Sequence, residues 1–147
     1  MKTRVLLVDD EKQFVDALSE RLTIRDYEIS TSLDGEDALE KIRKFNYDVV
    51  ILDVAMPGTD GIVVLREIKI LKPLTEVIML TGQGTVQTAI EGMKLGAFDF
   101  LMKPCDTEEL DSKIKKAFAR KDEHEERIRT AMGSDSISSP RSVLEDD

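Results

Sequence analysis

At 147 residues the chain has room for one domain with its own core, and a hydrophobic content of 41% is ordinary for a globular fold. A formal charge of -9 repels phosphate and anionic headgroups, which argues against direct contact with nucleic acid or a membrane surface and for proteins as partners. One cysteine, Cys105, allows no internal disulfide, and the apolar run behind Met1-Lys2-Thr3-Arg4 meets Asp9 too soon for a signal core or a span, so the expected location is the cytoplasm.

In chain order, the branched apolar run from Arg4 to Val8 predicts a strand that ends at Asp9-Asp10. Phe14, Ala17, Leu18 and Leu22 follow at helical spacing. A second strand is expected from Tyr27 to Thr31, and after the Asp34-Gly35 turn Ala38, Leu39 and Ile42 mark a second helix. The third strand, Asp48 to Asp53, runs into Pro57-Gly58 and Asp60-Gly61, with Leu65 and Ile68 in the helix behind it. Glu76 to Leu80 is a fourth strand that ends in Thr81-Gly82, and Val86, Ala89, Ile90 and Met93 share one helical stripe. A fifth strand, Phe98 to Met102, leads to Lys103-Pro104 and to a last helix carrying Leu110, Ile114, Ala117 and Phe118. Five such alternations predict an α/β fold, a doubly wound parallel sheet with helices on both faces.

The expected organisation is a folded domain over residues 1–120, a polar helical extension over 121–132 and a disordered tail over 133–147. The extension, from Lys121 to Met132, is built of helix-compatible charged residues, and as a heptad seam it offers Ile128 as its one large apolar member. The tail from Gly133 is rich in Ser, Asp and Pro and buries too little to offset its ordering entropy.

Three strands therefore end in chemistry: Asp9-Asp10, Asp53 and Lys103. In an open parallel sheet the carboxyl ends of the strands share one crevice, so these residues are expected to meet there. Each has an ordinary reading of its own, as a helix cap, a turn residue or a solvated lysine. Together on one edge they form a site. Three carboxylates in a cleft repel one another unless a cation neutralises them, and hard oxygen ligands suit Mg2+. A carboxylate such as Asp53 that attacks phosphorus forms an aspartyl phosphate, whose transfer needs positioning and charge neutralisation. Lys103 would pair with the carboxylate and then with the phosphoryl oxygens, and Thr81 would donate a hydroxyl hydrogen bond.

Asp9-Asp10, Asp53 with Met56-Pro57-Gly58 and Asp60-Gly61, Thr81-Gly82, and Phe100 with Lys103-Pro104 resemble the signature of receiver domains of two-component response regulators, over about Thr3 to Phe118. The runs Leu80-Thr81-Gly82-Gln83-Gly84 and Lys103-Pro104-Cys105-Asp106 are nearest to receivers of the sigma-54 activator type. The resemblance implies a flavodoxin-like strand order 2-1-3-4-5, a cis Lys103-Pro104 bond, and phosphorylation of Asp53 by a sensor histidine kinase or phosphotransfer protein. It implies Mg2+ held by Asp10, Asp53 and the Ala55 backbone carbonyl, with Asp9 acting through water. It also implies a switch in which Thr81 moves toward the phosphoryl group and Phe100 turns inward, with Phe98 as the competing aromatic. The changed surface, made by the fourth helix, fifth strand and fifth helix, would meet a downstream protein target or a second copy. Ala55 and Gln83 occupy positions that tune acyl-phosphate hydrolysis in such domains.

Such a domain is not an enzyme toward other molecules, since it catalyses only its own phosphorylation and dephosphorylation. A haloacid-dehalogenase-type phosphatase is the alternative enzyme, but it needs an acid two residues past the nucleophile, where this chain has Ala55. A non-phosphorylated docking module is the other alternative, and its mark would be a lost nucleophile or metal ligand. No DNA-binding or ATPase pattern follows the last helix in these residues, so the chain is expected to be either a stand-alone receiver acting through protein contacts or the amino-terminal portion of a longer regulator. His124, amid Glu and Arg on a solvated helix, and Cys105, beside the Lys-Pro turn, are read as bland.

Overall fold

The computed structural model describes residues 2–138, apart from the side chains of Gln83 and of residues 134–138. Its elements are β1 (Arg4–Val8), α1 (Lys12–Ile24), β2 (Glu28–Ser32), α2 (Gly35–Lys44), β3 (Val49–Asp53), α3 (Gly61–Leu71), β4 (Glu76–Thr81), α4 (Val86–Lys94), β5 (Asp99–Met102) and α5 (Thr107–Ser138). All strand pairs are parallel, in the order β2-β1-β3-β4-β5. The expected doubly wound α/β sheet is therefore present, with strand ends displaced from their expected positions by at most one residue.

Both faces of the central strands are apolar because helices cover both. Leu6, Val8, Val50, Leu52, Val77 and Met79 pack with Ala38, Ile42, Val64, Leu65, Ile68 and Ala89 of α2, α3 and α4. The alternate residues Val5, Leu7, Val49, Ile51, Ile78 and Leu80 pack with Val15, Leu18 and Leu22 of α1 and Leu110, Ile114 and Ala117 of α5. The two-residue period of the strand thus assigns each side chain to one of two cores. On α1 the buried face is Val15, Leu18 and Leu22 with Phe14 at its border, while Ala17 points to solvent.

α4 departs most from its expected packing. Of its stripe only Ala89 is buried, together with Gly92, while Val86, Ile90 and Met93 are each about two-fifths exposed. Small residues let the helix lie close to the sheet: a Cβ at Gly92 would stand 2.3 Å from Met79 Sδ. Burial of a full Leu or Ile side chain contributes about 1.5–3 kcal/mol, and α4 makes no such burial, whereas α3 buries Ile62, Leu65 and Ile68. The helix most weakly anchored to the sheet is thus the one that follows Thr81.

At the sheet's amino-terminal edge Glu76 is buried, with Arg120 bonded to both its carboxylate oxygens at 2.6 and 3.0 Å and Lys69 at 3.8 Å. Arg120 also lies over the Phe98 ring, 4.8 Å from its centroid, and the next residue, Lys121, reaches Asp48 at 3.1 Å. These pairs fix α5 to the sheet. Beyond them α5 continues without a break to Ser138, through the expected helical extension, and helix occupies residues 133–138 of the expected disordered tail. A glycine inside a helix costs only about 1 kcal/mol, too little for Gly133 to end a helix propagating from Ala131 and Met132. The rest of that tail, residues 139–147, lies outside the described residues. Among the described residues no helix is long and apolar enough to cross a membrane.

Candidate functional site

β1, β3 and β5 end at one edge, and their terminal residues converge there. Asp9 and Asp53 are buried, Asp10 is exposed, and one carboxylate oxygen from each lies within 4.8 Å of the others. Among the described residues they are the acidic cluster with metal-ligand spacing. Lys103, carried by the turn after β5 with a cis bond to Pro104, sends its Nζ to Asp9 Oδ2 at 2.8 Å and to Asp53 Oδ2 at 3.6 Å.

Backbone donors aim the two buried carboxylates. The Glu11 N–H donates to Asp9 Oδ1 and the Ala55 N–H donates to Asp53 Oδ1, each at 2.9 Å, which leaves Oδ2 of both residues facing Lys103. Asp60 accepts from the Ile62 N–H at the start of α3, and Gly61 sits where a Cβ would lie 2.9 Å from the Val54 backbone. Only glycine lets the loop after Asp53 close this tightly.

Burial raises the Asp53 pKa above the usual carboxylate range, and the neighbouring Asp9 charge raises it further, against the Ala55 N–H and Lys103, which lower it. For Lys103, burial opposes the charged form, but hydrogen bonds to Asp9 and Glu11 and the Asp53 charge outweigh it and hold the ammonium well above its usual pKa. The Glu11 carboxyl is held low by its bond to Lys103. The pocket is therefore a ring of carboxylates around one committed ammonium, with more negative charge than Lys103 can balance.

Other expected residues fall near the pocket without joining this ring. Thr81 is fully buried at the end of β4, and its hydroxyl meets that of Thr85, 2.5 Å away just before α4. Phe100 is partly buried against the α2–α4 side of the core and borders a surface hollow with Met102, Pro104 and Lys113. Phe98 packs on the opposite face under Arg120. Cys105 is half-buried, and burial raises its thiol pKa.

Two members of the site escape a reading of sequence spacing. Glu11, next to the aspartate pair, bonds Lys103 at 2.8 Å, and the Phe14 ring lies 4.4 Å from the same Nζ. Phe14 reads in sequence as an ordinary helix-face aromatic, and only the position of the β5–α5 turn reveals it as a cation–π partner.

The model of the response regulator receiver domain matches residues 5–115. The chain belongs to that family. As a receiver it is a signalling domain of two-component systems. It is 37% identical over 118 residues to the transcriptional regulatory protein ZraR of Salmonella typhimurium, a match covering 80% of this chain and 27% of that protein. Among solved structures, a receiver domain protein from Clostridium thermocellum superposes with a TM-score of 0.79 at 36% identity, covering 82% of this chain and 97% of that one. NtrX from Brucella abortus superposes with a TM-score of 0.81 at 30% identity, covering 88% of this chain and 30% of that one. The receiver thus spans about a quarter of the length of the first curated relatives it matches.

Proposed function

We propose that this receiver accepts a phosphoryl group on Asp53 and in response alters its α4–β5–α5 surface. The observation that carries the proposal is the convergence of Asp9, Asp10, Asp53 and Lys103 at one edge, with the Asp53 carboxylate aimed by the Ala55 N–H. Asp53 Oδ2 attacks the phosphorus of a phosphohistidine in a sensor kinase or phosphotransfer protein. The new P–O bond forms as the P–N bond breaks, and the imidazole leaves with the electron pair. Lys103 then neutralises a phosphoryl oxygen. The substrate is the protein's own side chain, so the domain turns over no other molecule except the phosphodonor.

The cluster fits a hard divalent cation, since three carboxylate oxygens within 4.8 Å carry more charge than Lys103 offsets. Asp10 and Asp53 would hold Mg2+ directly with the Ala55 carbonyl, and Asp9 through water. The ion would supply neutralisation of charge on the transferred group.

Thr81 is the donor proposed to turn from Thr85 toward the phosphoryl group, with Phe100 moving inward. The loosely held α4 and its exposed Val86, Ile90 and Met93, beside Met102, make that face the part of the surface most easily changed. A downstream protein target or a second copy would read it. The charge of -9 supports a protein reader over nucleic acid and fits a cytoplasmic setting. The runs around Thr81 and Lys103 place the domain nearest to receivers of the sigma-54 activator type.

Incubation with Mg2+ and a small phosphodonor, followed by intact mass measurement, should add one phosphoryl group to the parent and none to Asp53→Asn. Equal uptake by the variant would refute Asp53 as acceptor. Lys103→Ala should be phosphorylated slowly, with no change in the NMR signals of α4.

A further inference from the structure

Lys103 carries three N–H donors, and the structure divides them unequally. Asp9 Oδ2 and Glu11 Oε1 each lie 2.8 Å from Nζ, while Asp53 Oδ2 lies at 3.6 Å. The Phe14 ring at 4.4 Å, like Glu11, belongs to the β1–α1 side of the pocket. The ammonium therefore leans toward that side and away from the acceptor carboxylate.

Glu11 is tied to this arrangement twice. Its backbone N–H fixes Asp9 Oδ1, and its side chain takes the ammonium. It is also the residue that caps α1, a position where a short polar side chain usually bonds the free N–H groups of the first turn. Glu11 makes no such bond, so the side chain serves Lys103 and leaves the helix end without a side-chain cap.

We propose that Glu11 is a positioning residue for phosphoryl transfer, a tether that holds the Lys103 ammonium toward the β1–α1 loop and that the incoming phosphoryl group must outcompete. This rests on the reading of Asp53 as the acceptor and adds a competitor to it. The Glu11 carboxylate is two-thirds exposed, and an exposed ion pair is weak, so the phosphoryl group can displace it. The tether biases the ammonium without locking it.

The test compares Glu11→Gln, which removes the charge at equal length, with Glu11→Asp, which keeps the charge on a side chain one methylene too short to hold the ammonium in the same place. Affinity for beryllofluoride, a phosphoryl mimic, is measured by calorimetry in the presence of Mg2+. Both variants should bind it about twofold to fivefold more tightly, the range open to an exposed ion pair of ordinary strength. In the metal-free protein the Lys103 ammonium signal in 1H–15N spectra should move in both variants.

A gain in the Gln variant alone would show a general charge effect and overturn the tether, as would parent-like affinity and spectra in both. Parent protein that binds no beryllofluoride at all would instead bring down the assignment of Asp53, and the tether with it. Because Asp is a better helix cap than Glu, Glu11→Asp should remain folded.

Discussion

Replacing Asp53 by Asn should make the metal-free domain more stable, although it removes the proposed phosphoryl acceptor. At an effective dielectric constant of about 20, a like charge within 4.8 Å costs Asp53 at least about 3.5 kcal/mol, and an ammonium at 3.6 Å returns about 4.6 kcal/mol. Those contributions, for Asp9 and Lys103, nearly cancel, so the desolvation of a carboxylate that is 3% exposed decides the balance. Burial raises the pKa, so the ionised form is the disfavoured one in the folded state. Folded and unfolded pKa values then set the sign: the Asp53 contribution is fully present below the unfolded value of about 4 and is lost as pH rises through the folded value. At pH 7 in EDTA, Asp53→Asn should therefore gain about 1–2 kcal/mol, or about 4–8 °C in Tm, and the gain should vanish as the pH falls below about 4. Adding Mg2+ at about ten times its Kd should stabilise the parent by about 1.4 kcal/mol and leave the variant nearly unmoved. Thermal melts by circular dichroism across this grid of pH and metal suffice. A variant less stable than the parent in EDTA, or one stabilised equally by Mg2+, would refute the charge-crowded pocket.

Arg120→Ala leaves Glu76 buried with Lys69 alone, and should cost about 2–3 kcal/mol in urea denaturation, much more than removal of an exposed partner such as Arg129. Gly92→Ala gains about 1 kcal/mol of helix propensity but must displace Met79, so a net loss of about 1 kcal/mol is expected, with NMR shift changes centred on α4 and β4. Burial and the hydrogen bond to Asp111 raise the Tyr27 phenol pKa, so its contribution is whole below about pH 10 and lost above it. Absorbance titration should find one tyrosine ionising late, and Tyr27→Phe should flatten the alkaline limb of the stability profile.

The strands and the main site are legible in sequence for one reason: parallel topology forces the carboxyl ends of β1, β3 and β5 to one edge, so Asp9, Asp53 and Lys103 must meet once the strands are found. What sequence hides is direction. Val86, Ile90 and Met93 share a helical stripe with Ala89, and periodicity alone gives no sign that α4 rests on the sheet through Ala89 and Gly92 and leaves the larger residues outward. Glu76 reads as a strand boundary because its compensation comes from Arg120, 44 residues away. Glu11 reads as one more acid in a run because its partner arrives from a turn 92 residues on. Spacing finds groups that share an element or an edge, whereas a long side chain chooses its partner from whatever the tertiary fold brings within reach.

α5, at 32 residues, is about 48 Å long, and its last attachments to the sheet are Arg120 and Lys121. From there it runs onward as helix for about 25 Å, so a tilt of about 10° at Arg120 would sweep its far end by about 4 Å. A small tilt would thereby be magnified at the pole of the molecule opposite the acidic edge. Whatever is joined to that arm would receive a lever's output rather than a local rearrangement.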